Sequence, residues 1–299
     1  IVFLFLDGVG LGVDDPARNP LAVADMPVVR GLLDGARLLA GAGPRVTTRA
    51  ALLPTDATLG VAGRPQSATG QTALLTGLNA PALLGEHFGP RPNAHLRQML
   101  EGETLFSRAL GSGHSVCFAN AFPASYFAAI ERGKRLHGAI PHAAQAAGLP
   151  LLSAEDLAAG RALSVDFTNA GWRDGLGYTE MPLLTPGAAG GGLARLAASF
   201  RLTFFEHWLT DVLGHRGDLV AAVRVLEQFD QFLGGLLAGL NLDETLVVVA
   251  SDHGNVEDCS QRTHTLNPVP TVLIGARHGE VASHIHDLTH LTPALLGSL

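Results

Sequence analysis

Short runs of apolar residues, separated by glycine-rich and polar loops, set the pattern of the chain. The runs Ile1–Leu6 and Thr245–Ala250 contain almost no polar side chains, and the second is rich in valine. Such continuous runs are typical of strands buried on both faces of a sheet. A long stretch with helical spacing of apolar residues, Asp218–Leu237, precedes the second run. The alternation of strands and helices predicts an α/β fold with a mostly parallel sheet covered on both faces.

Weaker patterns predict the remaining elements. A breaker-rich loop leads into a helix that begins near Ser67 and ends at Gly77, since glycine commonly stops a helix. A further helix starts near Pro27, because proline suits a first helical turn. The other predicted strands are 45–52, 114–119, 163–167, 202–206 and 271–274, and the other predicted helices are 103–110, 141–147, 154–159, 188–199 and 293–296.

The composition of the chain changes between residues 81 and 185. This stretch has many prolines and glycines, short elements and no run as apolar as Ile1–Leu6. We therefore predict a catalytic α/β core formed by residues 1–80 and 186–299, with residues 81–185 inserted as a smaller cap or substrate domain. A basic group in this insertion, formed by Arg132, Lys134 and Arg135, has the charge to bind an anionic substrate, although a solvated turn would have the same composition.

Composition narrows the classes of partner. The 299 residues have a formal net charge of -7, so the chain lacks the cationic surplus expected of a protein that binds nucleic acid or anionic lipid. Hydrophobic residues make up 47% and charged residues 16%, which is typical of a folded domain. No apolar run approaches the roughly 18 residues of a membrane helix. We expect a cytoplasmic protein that acts on a small molecule, without a nucleic-acid or membrane partner.

Acidic and imidazole side chains directly follow the two buried strands. Asp7 follows the first run, and Asp252 and His253 follow the second. The carboxyl ends of parallel strands are where α/β proteins bind ligands, and Gly8 and Gly254 allow the chain to leave the sheet there. An acid beside an imidazole indicates a site for a borderline divalent cation such as Zn²⁺ or Mn²⁺, although an ordinary polar turn is the alternative.

Two further motifs and His264, which follows the second strand, supply candidate ligands. Asp211 and His215 are four residues apart, so one helical turn places both on the same face; a surface ion pair is the alternative. Ser67 is either an N-cap or a nucleophile favoured by the exposed amides of the helix that it opens. The seven groups of ligand type suit two adjacent divalent ions better than one tetrahedral ion. They are Asp7, Ser67, Asp211, His215, Asp252, His253 and His264.

At these motifs the chain resembles the alkaline phosphatase superfamily, and within it the branch of cofactor-independent phosphoglycerate mutase and phosphopentomutase. The matching segments lie at both ends of the chain, and the middle is unmatched. The combination of the last two segments is the most specific. The segments are Asp-Gly-Val-Gly at 7–10, Ser-Ala-Thr-Gly at 67–70, Asp-Val-Leu-Gly-His at 211–215, Asp-His-Gly-Asn-Val-Glu at 252–257 and His-Thr-Leu-Asn-Pro-Val-Pro at 264–270.

The resemblance implies a three-layer α/β/α core of the alkaline phosphatase type and two divalent metal ions. One ion would be held by Asp7, Ser67, Asp252 and His253, and the other by Asp211, His215 and His264. Ser67 would be the nucleophile that becomes phosphorylated. The chain departs from the mutases around this serine, where they carry Asn-Ser-Glu-Val-Gly-His and this chain has Gln-Ser-Ala-Thr-Gly-Gln at 66–71. It also lacks the C/S-x-P-x-R pattern of sulfatases, which disfavours sulfate ester cleavage.

These features predict a two-metal phosphoryl-transfer enzyme with a phosphoserine intermediate, acting on a small phosphorylated metabolite. We favour a phosphomonoesterase, because the insertion is short and has few arginines to clamp a retained product. A phosphomutase that returns the phosphoryl group to the substrate is the first alternative, and a phosphodiesterase the second. A homologue that binds metal without catalysis is the alternative from another class.

Overall fold

One seven-stranded sheet organises the computed structural model, which describes residues 1–299. In the order β2-β3-β7-β6-β1-β5-β4, the strands β6, β1, β5 and β4 run parallel, whereas β7 is antiparallel to both β6 and β3, and β2 is antiparallel to β3. The sheet is therefore mixed, with its parallel part in the centre and at one edge. The strands are β1 Val2–Leu6, β2 Arg45–Val46, β3 Ala50–Thr55, β4 Val116–Phe118, β5 Leu202–His207, β6 Leu246–Ala250 and β7 Val269–Gly275.

Helices cover both faces of this sheet. The long helix α11 packs closely against α9 on one face, whereas α2, α4, α5 and α7 lie together on the other. No helix combines the length and apolarity needed to cross a lipid bilayer. The helices are α1 Pro27–Leu32, α2 Ser67–Thr76, α3 Ala80–Leu84, α4 Ala94–Leu100, α5 Leu105–Gly111, α6 Ala124–Glu131, α7 Ala139–Ala146, α8 Ala154–Ala158, α9 Pro186–Ala197, α10 Leu209–Arg216, α11 Leu219–Ala238, α12 His278–Ala282 and α13 Leu291–Leu296.

Strand β1 shows why the sequence produces three layers. Its side chains alternate between the two faces, so Leu4 joins the core under α9 and α11, whereas Phe3 and Phe5 join the core under α2. All five residues of β1 are buried, as expected for a strand covered on both faces. The predicted three-layer α/β/α fold is confirmed.

The strand predicted at 163–167 does not form. Only an isolated bridge joins Leu163 to Asn120. Next to it, the Asp166 carboxylate accepts hydrogen bonds from the Ser164 hydroxyl at 2.5 Å and from the backbone amide of Asn169 at 2.8 Å. This local turn chemistry satisfies backbone donors that a strand would have paired with a neighbour.

The stretch 81–185 contributes both to the sheet core and to a separate small cluster. Strand β4 pairs with β5, and helices α4, α5 and α7 bury apolar side chains in the core under α2. Further along, Leu157, Ala162, Trp172 and Met181 form an apolar cluster of their own. The core at 1–80 and 186–299 with a cap at 81–185 stays a prediction.

Helix α2 approaches the end of β6 so closely that it needs a glycine. A Cβ added at Gly70 would lie 2.9 Å from the backbone oxygen of Asp252. We expect Gly70→Ala to lower the free energy of unfolding by about 1–3 kcal/mol, because backbone rather than a flexible side chain must move. Chemical denaturation measures this change. Gly31→Ala is the control, since a Cβ at Gly31 meets nothing within 4 Å and should stabilise α1 by up to about 1 kcal/mol. Equal stability of the two variants would contradict the close approach.

Candidate metal centre

The predicted ligands converge at the carboxyl edge of the parallel strands. Asp7 directly follows β1, and Asp252 and His253 follow the neighbouring strand β6. Ser67 is the first residue of α2, and Asp211 lies in the first turn of α10. All five are at least partly buried. Elements that are far apart in sequence therefore bring their polar side chains to one place.

Gly8 makes this convergence possible. Its φ angle is +69°, in the left-handed region that favours glycine, and a Cβ at this position would lie 2.6 Å from Oδ1 of Asp211. The chain can thus turn sharply after Asp7 while α10 packs against the turn. The Gly8 amide lies 3.4 Å from Oδ1 of Asp252, which ties the ends of β1 and β6 together.

The first group of side chains surrounds His253. Its Nε2 atom lies 3.0 Å from Oγ of Ser67, 3.3 Å from Oδ1 of Asp7 and 3.6 Å from Oδ2 of Asp252. These four residues are the set that the resemblance assigned to one metal ion. The N-cap interpretation of Ser67 does not hold, because Gln66 is the N-cap residue of α2 and Ser67 follows it inside the first turn.

The second group consists of Asp211, His215 and His264. Nε2 of His215 lies 3.4 Å from Oδ2 of Asp211, Nε2 of His264 lies 3.6 Å from Oδ1 of Asp211, and the two Nε2 atoms lie 3.2 Å apart. The Nδ1 atoms of the two rings contact backbone oxygens, that of Pro65 at 2.7 Å for His264 and that of Arg262 at 2.9 Å for His215. Such contacts orient imidazoles so that Nε2 is available to a metal.

The two groups of side chains are adjacent and have Asp211 in common. Asp211 offers ligand atoms both to the set with His215 and His264 and to a set with Asp7 and His253, with all atoms of each set within 4.8 Å of one another. The rings of His253 and His264 stack with their centroids 3.7 Å apart. This arrangement suits two adjacent ions bridged or flanked by Asp211.

The buried acidic and imidazole groups of this site strongly perturb one another's pKa values. Burial, followed by repulsion from the Asp252 charge, raises the pKa of Asp7 well above its ordinary value, and burial also raises the pKa of Asp252. Burial lowers the pKa of His253, but the charges of Asp252 and Asp7 outweigh it and raise the pKa to about 10. Burial and the His253 charge lower the pKa of His264 to about 4.

An orphaned oxygen points to the same conclusion. Oδ1 of Asp7 is buried and accepts no hydrogen bond of good geometry. A buried carboxylate oxygen without a donor is costly in a protein interior, unless a cation neutralises it. Crowded acids, imidazoles whose Nε2 atoms converge and a buried oxygen without a good hydrogen bond form a donor set that fits divalent metal ions.

Several supporting residues were missed by the sequence analysis. Gln71 donates through Nε2 to Oδ2 of Asp252 at 3.0 Å and lies 3.4 Å from Oδ2 of Asp7, so a neutral donor holds the two acids in place. Asn255 donates to Oδ1 of Asp211 at 2.6 Å. Gln71 was noted only as a departure from the mutase motif, and no local signal indicates that it reaches two carboxylates more than 60 positions away.

Glu257 holds the loops around the site. It is 1% exposed, and its carboxylate accepts hydrogen bonds from the backbone amides of Gly10 at 2.9 Å and Asn255 at 2.7 Å, from the Asn267 amide at 3.0 Å and from the Thr265 hydroxyl. Its role is to join the loops after β1 and β6 to the segment before β7. This explains why the Asp-His-Gly-Asn-Val-Glu motif continues beyond its two candidate metal ligands.

The predicted substrate residues lie in one turn and belong to neither group of ligand type. Arg132, Lys134 and Arg135 are all exposed in the turn that follows α6. The Arg135 guanidinium lies 4.8 Å from the centre of the Tyr126 ring. No ion pair involves any of the three basic residues. Their contact with substrate stays a prediction.

Comparison with known proteins agrees with this fold and centre. Residues 193–295 match the family model described as "Metalloenzyme superfamily", a range that contains Asp211, His215, Asp252, His253 and His264. The solved alkaline phosphatase from the Antarctic bacterium TAB5 is 14% identical, with 99% of this chain and 96% of that chain covered at a TM-score of 0.54. The PH0037 protein from Pyrococcus horikoshii is also 14% identical, covering 93% and 86% at a TM-score of 0.54. The chain therefore resembles the metalloenzymes of the alkaline phosphatase superfamily, as its motifs predicted.

Curated relatives indicate the branch within this class. The 2,3-bisphosphoglycerate-independent phosphoglycerate mutase of Roseobacter denitrificans is 34% identical over 112 residues, which cover 33% of this chain and 22% of the relative. The enzyme of the same name from Agrobacterium fabrum is 37% identical over 95 residues, covering 29% and 18%. The chain thus matches only about a fifth of the length of these relatives. The resemblance to the cofactor-independent phosphoglycerate mutases is confirmed for the matched third of this chain.

Proposed function

We propose that the protein is a metal-dependent phosphoryl-transfer enzyme that uses Ser67 as its nucleophile and acts on a small phosphorylated metabolite. The observation that carries the proposal is the position of the Ser67 hydroxyl, 3.0 Å from Nε2 of His253 and beside two groups of metal-ligand type. Because Gln66 is the N-cap residue of α2, helix capping does not account for a serine at position 67. The relatives named as phosphoglycerate mutases support the same class of reaction.

The ligands would hold two divalent ions, Mn²⁺ or Zn²⁺. Asp7, Asp252 and His253 would bind one ion together with Ser67, and the group of Asp211, His215 and His264 would bind the other. When bound, such ions neutralise charge on phosphoryl oxygens and lower the pKa of a coordinated hydroxyl. The mixed oxygen and nitrogen donors suit either metal.

The protein's own groups prepare Ser67 for attack. Ser67 opens α2, and no carbonyl accepts a hydrogen bond from its amide or from that of Ala68. These free amides at a helix N-terminus are suited to bind the oxygens of an incoming phosphate. The Ser67 oxygen then displaces the alcohol of the ester in line, which forms phosphoserine and releases the alcohol. A second nucleophile from the same open side takes the phosphoryl group and regenerates the serine.

Water as the second nucleophile makes the protein a phosphomonoesterase, which is our main proposal. Helices α4, α5 and α7 and strand β4 are engaged in the core, so these parts of the stretch 81–185 do not form a separate cap over the site. A mutase must exclude water while it holds the product. Phosphomutase activity is the second candidate, favoured by the names of the curated relatives.

Product analysis tests the proposal. We expect the purified protein with Mn²⁺ or Zn²⁺ to release inorganic phosphate from p-nitrophenyl phosphate and from members of a panel of sugar and glycerate phosphates. Loss of turnover with EDTA and its return with added metal is the control. Formation of isomerised phosphate esters without free phosphate would show that the protein is a mutase and not a phosphatase. Metal binding without turnover of any compound would favour a non-catalytic homologue.

A further inference from the structure

Trp208 is an exposed tryptophan in the loop that leads into the candidate metal centre. It is 41% exposed, and it is the only exposed residue among the phenylalanines, tyrosines and tryptophans of the chain. Its ring stacks on no other aromatic ring of the protein. Trp172, by contrast, is 4% exposed and packs against Tyr178 with ring centroids 5.0 Å apart. Because large aromatic rings are usually well covered, Trp208 is a candidate contact for a ligand.

Backbone contacts on both sides of Trp208 hold it next to Asp7. The Asp7 amide donates to the backbone oxygen of His207 at 2.9 Å, and the Thr210 hydroxyl donates to the backbone oxygen of Asp7 at 2.5 Å. Trp208 lies between these two anchored residues, at the N-cap position of α10, and its side chain makes no capping hydrogen bond. The backbone of Trp208 is therefore fixed, whereas its ring is free for another contact.

Trp208 shares a face of α10 with two candidate metal ligands. Asp211 and His215 follow it at i+3 and i+7, which is the spacing of one stripe on a helix. Side chains three positions apart have Cβ atoms about 5–6 Å apart, so Trp208 is a direct neighbour of Asp211. This face is turned toward the centre, because a Cβ at Gly8 would lie 2.6 Å from Oδ1 of Asp211. The His215 side chain is 45% exposed, so the outer end of the face is open to solvent.

The direction of the proposed reaction places the leaving alcohol on the same side as Trp208. The Ser67 hydroxyl lies 3.0 Å from Nε2 of His253, in the first group of ligand type, and contacts no residue of the second group. In an in-line displacement the leaving oxygen is opposite the attacking oxygen. The second group, which includes Asp211, is then on the side of the leaving alcohol. Trp208 adds a flat apolar surface next to that group.

We propose that Trp208 is a specificity-determining residue that stacks on a planar ring carried by the alcohol part of the substrate. This inference rests on the proposed function and narrows its substrate to phosphomonoesters whose alcohol bears an aromatic or heteroaromatic ring. An indole face attracts another π system by offset stacking in addition to the burial of apolar area. A saturated ring of the same size gains only the burial, so the two kinds of ring can be told apart.

Benzyl phosphate and cyclohexylmethyl phosphate test the stacking contact, because their leaving alcohols are alike in size and differ in aromaticity. We expect kcat/KM of the wild type to be about 3- to 10-fold higher for benzyl phosphate. Trp208→Leu, which keeps an apolar side chain without a ring, should remove this preference, mainly through KM. Trp208→Phe should retain most of it. Val220→Ala, which removes an exposed apolar side chain from the first turn of α11, should keep the wild-type ratio.

A second pair of esters tells whether a ring carried on a sugar also reaches Trp208. Adenosine 5′-monophosphate and ribose 5-phosphate share the phosphorylated ribose and differ in the planar base. A preference for the nucleotide that Trp208→Leu removes would identify the ring as a nucleobase. A preference confined to benzyl phosphate would identify it as a ring close to the ester carbon. The absence of a preference in both pairs would overturn the proposal.

Indole fluorescence separates failure of the stacking contact from failure of the proposed function. Trp172 and Trp208 are the only tryptophans, and only Trp208 is exposed to a neutral quencher such as acrylamide. In a Ser67→Ala background with Zn²⁺ present, saturating benzyl phosphate should lower the quenching constant toward that of the Trp208→Phe variant, in which only the buried Trp172 remains.

The two measurements together give distinct outcomes. Shielding of Trp208 by benzyl phosphate, without turnover of any ester by the wild type, would reject the proposed function and retain the stacking contact. Turnover without shielding and without a preference for the aromatic ring would overturn the contact and leave the proposed function intact. An equal loss of turnover for both esters in Trp208→Leu would assign Trp208 to the placement of α10 and would also overturn the contact.

Discussion

Ser67→Ala should lower metal-dependent release of p-nitrophenolate from p-nitrophenyl phosphate by at least about 10³-fold, because no other group replaces a lost covalent nucleophile. The fold should tolerate the change, since the alanine side chain is smaller and Ser67 is not the N-cap of α2. Steady-state kinetics with Mn²⁺ or Zn²⁺ measures the loss. Transfer of labelled phosphate to the protein, seen in the wild type and absent from the variant, reports the phosphoserine directly.

Thr69→Val is the matched control for this experiment. Thr69 offers another hydroxyl in the first turn of α2. Its Oγ1 atom donates to the backbone oxygen of Gln66 at 3.1 Å and lies 3.3 Å from that of Phe88, so it is not free to attack. We expect Thr69→Val to retain activity within about tenfold while losing some stability. Persistent turnover in Ser67→Ala together with inactivity of Thr69→Val would show that the nucleophile has been assigned to the wrong residue.

Asp211→Asn should remove the response of the protein to metal as well as its activity. Saturating the wild type with Mn²⁺ or Zn²⁺ at 100 times Kd should stabilise it by about 2.7 kcal/mol, or roughly 5 °C in Tm, for each bound ion, because the ions bind only the folded site. Asp211 contributes to both groups of ligand type, so the amide should abolish most of this increase and lower kcat by at least about 10²-fold. Thermal unfolding with and without metal, followed by the phosphatase assay, measures both effects.

Asp243→Asn provides the comparison for Asp211→Asn. Asp243 is exposed in the turn before β6, and it belongs to neither group of ligands. Its variant should show the full metal-dependent increase in Tm. An undiminished increase in Asp211→Asn would show that this carboxylate is not a ligand, and the proposed pair of ions would then have to be abandoned.

The sequence predicts the candidate metal ligands better than it predicts the residues that hold those ligands in place. Asp7 and Asp252 follow short apolar runs that predict buried strands, and the spacing of Asp211 and His215 places both on one helical face. These are local signals, so the candidate ligands could be recognised before their convergence was seen. The identity of the partner strands and the bridging position of Asp211 between two groups depend on tertiary packing.

Tertiary contacts also explain what the sequence did not show. Gln71 reaches Asp252 across 181 positions, and Arg91 meets Leu136 across 45. Nothing in the residues next to either side chain indicates such a partner. The apolar spacing at 163–167 suggested a strand, but the Asp166 carboxylate captured the backbone amides of Thr168 and Asn169 and formed a turn instead.

The contact between Pro65 and His264 has a consequence for how this protein can change. The backbone oxygen of Pro65, two residues before Ser67, lies 2.7 Å from Nδ1 of His264. A substitution that moves the Pro65 loop to admit a different substrate must therefore also rotate a ring of the metal centre. Under the proposed function, substrate selectivity and metal affinity are therefore coupled, and variants chosen for a new substrate should also differ in the metal concentration that they require.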